Sequence, residues 1–241
     1  VRFRPDEKAQ DAALAFERYD LVSAPVVDAD EKLIGRVTVN VVVDFIREES
    51  DNEQLSAGGL REEEDLFASV WSSVKNRWTW LAINLVTAFI ASRVIGIFEG
   101  SIEKIVALAA LMPIVAGIGG NSGNQTITMI VRALALKQIT ASSARKLFAK
   151  EIGVSVINGL IWGGVVGLFA FFIYHKWQLG LVMTGAMVLN LLLAALAGVA
   201  VPLSMQKLGR DPAVGSSVMI TAITDSGGFF IFLGLATIFL L

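Results

Sequence analysis

Cysteine is absent from this chain, and histidine and charged residues are scarce. Without cysteine there can be no disulfide, thiolate metal site or cysteine nucleophile. The single histidine, His175, cannot by itself build a zinc cluster or a Ser-His-Asp triad, and its place at the end of an apolar run predicts a residue at a membrane–water boundary. Only 17% of the 241 residues are charged and 54% are hydrophobic, which is too apolar for an ordinary soluble domain. The low content of charged residues and the high content of hydrophobic residues indicate a membrane protein.

The charges that are present divide the chain into three predicted parts. Residues 1–49 form a small cytosolic segment, residues 50–76 an acidic linker with a connecting helix, and residues 77–241 a membrane domain. Residues 48–65 carry eight acids against one base, which favours a solvated acidic face and leaves cation sensing as the alternative. Residues 1–8 are charged, so they do not resemble a cleavable signal peptide, and we expect the first residue to be a cut end.

The N-terminal segment has the pattern of a small α/β unit. SAPVVDADEKLIGRVTV predicts a strand, a polar turn at Asp28–Lys32 and a second strand. A short helix is expected over Val41–Glu48, and a linker at Ser56–Gly59 separates it from a second helix over Leu60–Asn76.

Five apolar segments are each long enough for a span, which needs about 20 residues. The predicted spans are Trp78–Phe98, Ile105–Leu136, Ile152–Tyr174, Gln178–Met205 and Pro212–Leu241. Basic residues gather in the loops on the side of the N-terminal segment, so the positive-inside rule places the N-terminus in the cytoplasm and the C-terminus outside. We therefore predict an all-α membrane domain of five spans in the plasma membrane.

The second span contains polar residues that lipid would not select. Between Ile105 and Val131 there is no charged residue, yet GIGGNSGNQTITMIVR holds four glycines, two asparagines and a glutamine. Helical spacing places Asn121, Asn124, Thr128 and Arg132 on one face, and Gly117, Gly120 and Asn124 on one stripe. Pro113 and the glycines predict a kinked or locally opened helix, which is tolerated at membrane depth only beside protein or water. The alternative is a tightly packed helix pair joined by glycines and amides.

The last span carries a single ionisable residue, Asp225, near its middle. An aspartate at a helix centre costs about 2.5–3.5 kcal/mol, so such a residue is a functional candidate by default. Ser217, Thr221, Thr224 or Asp225, and Gly228 fall on the same face. Structural alternatives are a protonated carboxyl bonded to a backbone carbonyl and a salt bridge to Arg93.

Carboxylate, hydroxyl, amide and carbonyl groups together make an all-oxygen site, which suits hard cations. A two-fold dimer would supply two copies of Asp225 facing one axis. At about 5 Å and an effective dielectric constant near 20, each carboxylate would attract a dication by roughly 7 kcal/mol before desolvation. Because Mg²⁺ dehydrates reluctantly, a polar cavity could pass it with its water shell.

These residues resemble the MgtE family of magnesium transporters and channels. Pro113 followed by Gly119-Gly120-Asn121-Ser122-Gly123-Asn124-Gln125 matches its P-x5-G-G-N-x-G-x-Q signature, and further matches are IVRALAL, FAKE at 148–151 and Asp211-Pro212-Ala213. Asp225 stands where the family has its pore aspartate. Residues 20–49 look like the second half of a cystathionine-β-synthase-type (CBS) module, although the family's acidic N-terminal domain is not represented.

The resemblance implies a homodimeric pore without catalytic chemistry or nucleic-acid partners. Its metal residues would be Asp225 in the pore and the pair Asp211 and Asp51, which would bind regulatory Mg²⁺ that closes the pore. The pore lining would include Gly117, Gly120, Asn121, Asn124, Gln125, Ser217, Thr221 and Thr224. A complete pair of CBS modules would also bind ATP.

Three alternatives remain open from the sequence. The same architecture could carry Mn²⁺ or Co²⁺, or exchange Mg²⁺ for Na⁺. An intramembrane hydrolase using Asp225 would need a second carboxylate within reach. A membrane-anchored nucleotide-binding module would depend on the CBS segment instead.

Overall fold

The structure, a computed structural model, describes residues 1–60, 67–135, 139 and 141–241. The chain divides into two compact units, residues 1–68 and residues 69–241. Helices predominate throughout the described residues, and a two-stranded sheet lies in the first unit. The prediction of a mostly helical protein with a small α/β segment is therefore confirmed at this level.

The N-terminal unit contains two helices and two strands. They are α1 (Ala9–Tyr19), β1 (Ser23–Val27), β2 (Leu33–Thr38) and α2 (Val39–Ala57). The strands pair antiparallel, and the turn between them is closed by Asp28, whose Oδ1 accepts hydrogen bonds from the backbone N–H of Asp30 at 2.9 Å and of Lys32 at 2.8 Å. The predicted strand, polar turn and strand are confirmed, because an aspartate that bonds its own following backbone stabilises a tight reversal.

A small apolar core holds this unit together. The rings of Phe3 and Phe16 stack with centroids 5.9 Å apart, and Ala24 and Val42 are buried beside them. On the surface, the Arg2 guanidinium lies 2.7 Å from Glu31, and this hydrogen bond lowers the pKa of the Glu31 carboxyl. Both side chains are more than half exposed, so the pair contributes little to stability.

The helix α2 is longer than the sequence pattern indicated. It was expected to end at Glu48 and instead continues to Ala57, with Gly58 at its C-terminus. Residues 49–57 contain no glycine or proline, and their glutamates, glutamine, leucine and alanine are good helix formers. Most of the helix predicted over Leu60–Asn76 lies outside the description at 61–66 or in the non-helical segment 67–69, and the next helix begins only at Val70.

The C-terminal unit is a bundle of long helices. They are α3 (Val70–Ile97), the short α4 (Glu99–Lys104), α5 (Ala107–Ala135), α6 (Ala141–Tyr174), α7 (Trp177–Lys207) and α8 (Ser216–Leu240). The helix α7 lies at the centre and packs against α5, α6 and α8. In its most apolar 18-residue window 61% of the residues are buried, against 6% for α3, which leaves most of α3 for lipid or another chain.

Four of the described helices are long and apolar enough to cross a membrane: α3, α6, α7 and α8. The helix α5 has 29 residues, about 43 Å at 1.5 Å per residue, but it does not meet the same apolar criterion. Its amides and glycines lower its hydropathy. A fifth span therefore remains a prediction.

The helix α5 runs without interruption from Ala107 to Ala135 and contains Pro113 in its first third. The local opening expected at the glycines is not present. Gly119 and Gly123 face side chains of α7 and α8 at close range, so the glycines serve close packing here and do not unwind the helix.

Candidate functional site

One line of exposed residues on α5 is polar or small, and the exposed apolar side chains of Ile114, Ile118 and Met129 flank it. Pro113, Gly117, Asn121, Gln125, Thr128 and Arg132 are exposed, at steps of four or three residues. This period matches a single face of an α-helix, which we call the α5 stripe. Gly120 and Asn124 lie at its edge and are half-buried, and the Thr128 hydroxyl donates to the Asn124 carbonyl at 2.9 Å. The opposite face, which includes Leu108, Val115 and Ile130, is buried in the bundle.

On α8 two of the predicted hydroxyl residues are bonded to their own helix. The Thr221 hydroxyl donates to the Ser217 carbonyl at 2.9 Å, and the fully buried Thr224 hydroxyl donates to the Ile220 carbonyl at 2.9 Å. Ser217 and Thr221 are half-buried. Since the half-buried Thr221 uses its hydroxyl proton internally, its remaining lone pairs are what it can offer a cation, whereas Thr224 has no exposed surface.

Asp225 is half-buried on α8. Within the described part of the chain no ion pair includes its carboxylate, and Arg93, the counter-ion considered from the sequence, lies over the Phe89 ring at 5.8 Å from its centroid. The salt-bridge alternative is therefore not supported. Asp225 keeps a partly open carboxylate within an apolar helix.

The helices α5 and α8 cross at small residues. A Cβ added to Gly120 would lie 3.6 Å from Thr224 Oγ1, and one added to Gly123 would collide with the Ile220 side chain. Thr224 immediately precedes Asp225, so Asp225 lies one residue along α8 from this crossing. The crossing thus brings the glycine signature of α5 next to the polar segment of α8.

Two buried polar residues escaped the sequence analysis. Asn190 on α7 is 0% exposed and donates through Nδ2 to the Val115 carbonyl of α5 at 2.8 Å. Glu151 on α6 is 4% exposed and accepts from the Thr126 hydroxyl of α5 at 3.0 Å. A signal was present for Asn190, which is the only amide between Gln178 and Gln206. Glu151 was noted only as part of a family match.

The two residues expected to bind regulatory Mg²⁺ lie in different units. Asp51 is exposed on α2 of the N-terminal unit. Asp211 is exposed before α8, and its Oδ1 accepts from the Ala213 N–H at 2.8 Å. No group of three or more acidic, histidine or cysteine side chains capable of holding a metal occurs in the part of the chain that the structure describes. Their joint role remains a prediction.

Four helices long and apolar enough to cross a membrane, with polar groups on α5 and a carboxylate on α8, are the pattern of a polytopic membrane protein. The family model described as "MgtE: Divalent cation transporter" matches residues 112–235, from α5 to α8. The chain belongs to this MgtE family, and the resemblance stated from the sequence is confirmed.

Three curated relatives, each named "Magnesium transporter MgtE", are similar over nearly the whole chain. The protein of Thermus thermophilus is 32% identical over 243 residues, which is 100% of this chain and 54% of the relative. Those of Enterococcus faecalis and Bacillus subtilis are 31% and 30% identical over 96% of this chain and 51% of each relative. This chain therefore spans about half the length of these relatives.

Proposed function

We propose that the protein transports Mg²⁺ across the plasma membrane as a homodimer, with five spans per subunit. In this proposal α5 is the fifth span, although its polar residues make it less apolar than the other four. The N-terminal unit is cytoplasmic, and α5 and α8 of both subunits line the ion path. The names of the relatives and the family description support a divalent cation as the substrate.

The observation that carries the proposal is the exposure of the α5 stripe. The amides of Asn121 and Gln125 and the hydroxyl of Thr128 are exposed on a helix that carries no charged residue from Ala107 to Val131. Unsatisfied polar groups in hydrocarbon are costly, so this stripe requires water or another subunit beside it. A second copy placed across a two-fold axis would give an aqueous path lined twice by the same residues.

The chemistry of this path suits a hydrated divalent cation. Two symmetry-related Asp225 carboxylates would each contribute roughly 7 kcal/mol of gross attraction to a dication at about 5 Å. Amide oxygens of the α5 stripe and backbone carbonyls near Gly117 and Gly120 would accept hydrogen bonds from the water shell. Contact through water keeps binding weak enough for release, which conduction requires.

Regulation by cytosolic Mg²⁺ is a further part of the proposal. Asp51 and Asp211 are both exposed, and each has a carboxylate oxygen that accepts no hydrogen bond from the residues that the structure describes. Both carboxylates are therefore open to a dication, and the family resemblance implies that Mg²⁺ bound to them closes the path. In this scheme closure follows from a rise in cytosolic Mg²⁺.

The test is uptake of Mg²⁺ into proteoliposomes, followed with a Mg²⁺-sensitive dye. Asp225→Asn removes the charge at nearly constant volume and should lower the uptake rate to a tenth or less of wild type, since about 7 kcal/mol of gross attraction per subunit is lost. The matched control is Glu103→Gln, an exposed acid outside the spans that should transport as wild type. Size-exclusion chromatography verifies that each variant remains a dimer.

Wild-type uptake by Asp225→Asn would remove this residue from the ion path. Stronger uptake of Mn²⁺ or Co²⁺ than of Mg²⁺ would favour the alternative substrate, and uptake that depends on a Na⁺ gradient would favour exchange. For regulation, Asp211→Asn should conduct normally but remain open at a high internal Mg²⁺ concentration. Unchanged inhibition in that variant would contradict its gating role.

A further inference from the structure

Asn190 occupies a notch between the two helices proposed to line the path. It lies near the middle of α7 and has no exposed surface. A Cβ added to Gly119 of α5 would collide with its Nδ2 and lie 2.9 Å from its Cγ, and one added to Gly228 of α8 would lie 2.7 Å from Nδ2. The amide therefore fills the space that two glycines leave open, one on each helix.

The hydrogen bonds of this amide are unequal. Nδ2 donates to the Val115 carbonyl at 2.8 Å, whereas the buried Oδ1 has no hydrogen-bond partner among the described residues. An apolar side chain of the same shape would avoid burying an unpaired carbonyl oxygen. Stability alone is therefore a poor reason for asparagine at this position, and the reason lies in the geometry that the amide imposes.

The contacts of Asn190 also affect the orientation of the candidate-site residues, because neighbouring residues on one helix have fixed relative orientations. Gly120 and Asn121 follow Gly119 directly, so the contact of Gly119 with Asn190 fixes the rotation at which they are presented. On α8, Gly228 lies three residues after Asp225, less than one turn away. One buried amide thus touches both helices within a turn of the residues proposed to meet the ion.

We propose that Asn190 is a positioning residue that sets the spacing and rotation of α5 against α8, and thereby the ion discrimination of the path. The proposal rests on the proposed transport function for its discrimination part. It requires no contact between Asn190 and the ion, since the side chain is enclosed within one subunit.

Two variants test the effect on transport. Asn190→Ala removes the hydrogen bond to Val115, and Asn84→Ala is the matched control, because the Asn84 amide donates at 2.8 Å to Trp80 within its own helix, α3. We expect Asn190→Ala to change the ratio of Mg²⁺ to Mn²⁺ uptake by about threefold or more, as a displaced coordination geometry would. A purely structural role would lower the uptake of both ions equally, and an unchanged ratio would overturn the proposal.

The packing part is tested by a double-variant cycle. Gly119→Ala should lower the melting temperature, because its methyl group meets the Asn190 amide. Added to Asn190→Ala it should lower the melting temperature much less, since the amide is no longer there. Equal losses in both backgrounds would show that the two residues do not interact as described.

The spacing itself can be measured without transport, because the chain has no cysteine. A disulfide between Gly120→Cys and Thr224→Cys should form readily with Asn190 and several times more slowly with Asn190→Ala. An unchanged rate would overturn the positioning role even if Asp225→Asn abolishes uptake. Conversely, a slower rate together with normal Asp225→Asn transport would retain the positioning role and reject the proposed ion site.

Discussion

The C-terminal unit contains two glycine-rich helix crossings, and they differ in how they treat polar groups. At the α6–α7 crossing the backbones nearly touch: a Cβ on Gly167 would lie 2.6 Å from the Gly180 carbonyl oxygen. The polar atoms there are satisfied, since the Thr184 hydroxyl lies 3.0 Å from the carbonyls of both Gly163 and Gly180. The α6–α7 crossing thus leaves no space between the two backbones, and close packing alone accounts for its glycines.

The α5–α8 crossing uses glycines differently. Gly119 and Gly228 enclose an amide whose Oδ1 is unpaired, and the adjacent α5 stripe exposes further polar groups. Glycine in a membrane helix therefore does not by itself indicate a functional site. The informative combination is glycine beside polar groups that the subunit leaves exposed or unpaired, because lipid cannot satisfy them.

The largest effect that would test this comparison is expected at the closed crossing. Gly167→Ala forces a methyl group against a backbone carbonyl and should cost about 1–3 kcal/mol of folding free energy. Thermal unfolding in detergent measures it, with Gly153→Ala on the same helix as the control, since a Cβ there meets nothing within 4 Å. Equal melting temperatures for the two variants would show that the crossing is not tightly closed.

A second test concerns a buried polar pair whose hydrogen bond is made. Glu151→Leu removes the acceptor for Thr126 and should cost about 1–3 kcal/mol, because a buried hydroxyl loses its partner. Glu151→Gln retains an acceptor oxygen and should cost less, and Thr126→Val should recover part of the loss in the leucine background. The measurement is the melting temperature of the wild type, Glu151→Leu, Glu151→Gln and the double variant. A glutamine variant as unstable as the leucine variant would show that the hydrogen bond to Thr126 does not stabilise the fold.

The smallest effect on stability is expected on the exposed α5 stripe. Gly117 is exposed and a Cβ there meets nothing within 4 Å, so Gly117→Ala should leave the melting temperature unchanged or slightly raised. If the α5 stripe lines the path, the same variant should slow Mg²⁺ uptake by about threefold. Gly153→Ala is again the control, since Gly153 is also exposed, on α6, and the variant should transport normally. Equal uptake by both would place the stripe away from the ion.

Local pattern was sufficient for much of the architecture. The strand, turn and strand of the N-terminal unit and four apolar spans could be predicted because alternation and long apolar runs are local properties. Asp225 was singled out in the same way, by a charge in an apolar run. Helix ends were less certain: α2 passes Glu48, since no strong terminating residue comes before Gly58.

The amino-acid sequence by itself determined which residues share each helix face, because a fixed helical repeat sets those faces. Only the tertiary structure decided which face meets which neighbour: Thr224 is buried against Gly120, Glu151 meets Thr126, and Asn190 enters the notch of Gly119 and Gly228. These contacts join residues that are far apart in the chain: the bond from Asn190 to Val115 spans 75 positions. They depend on the complementary shapes of separate helices, which no local pattern encodes.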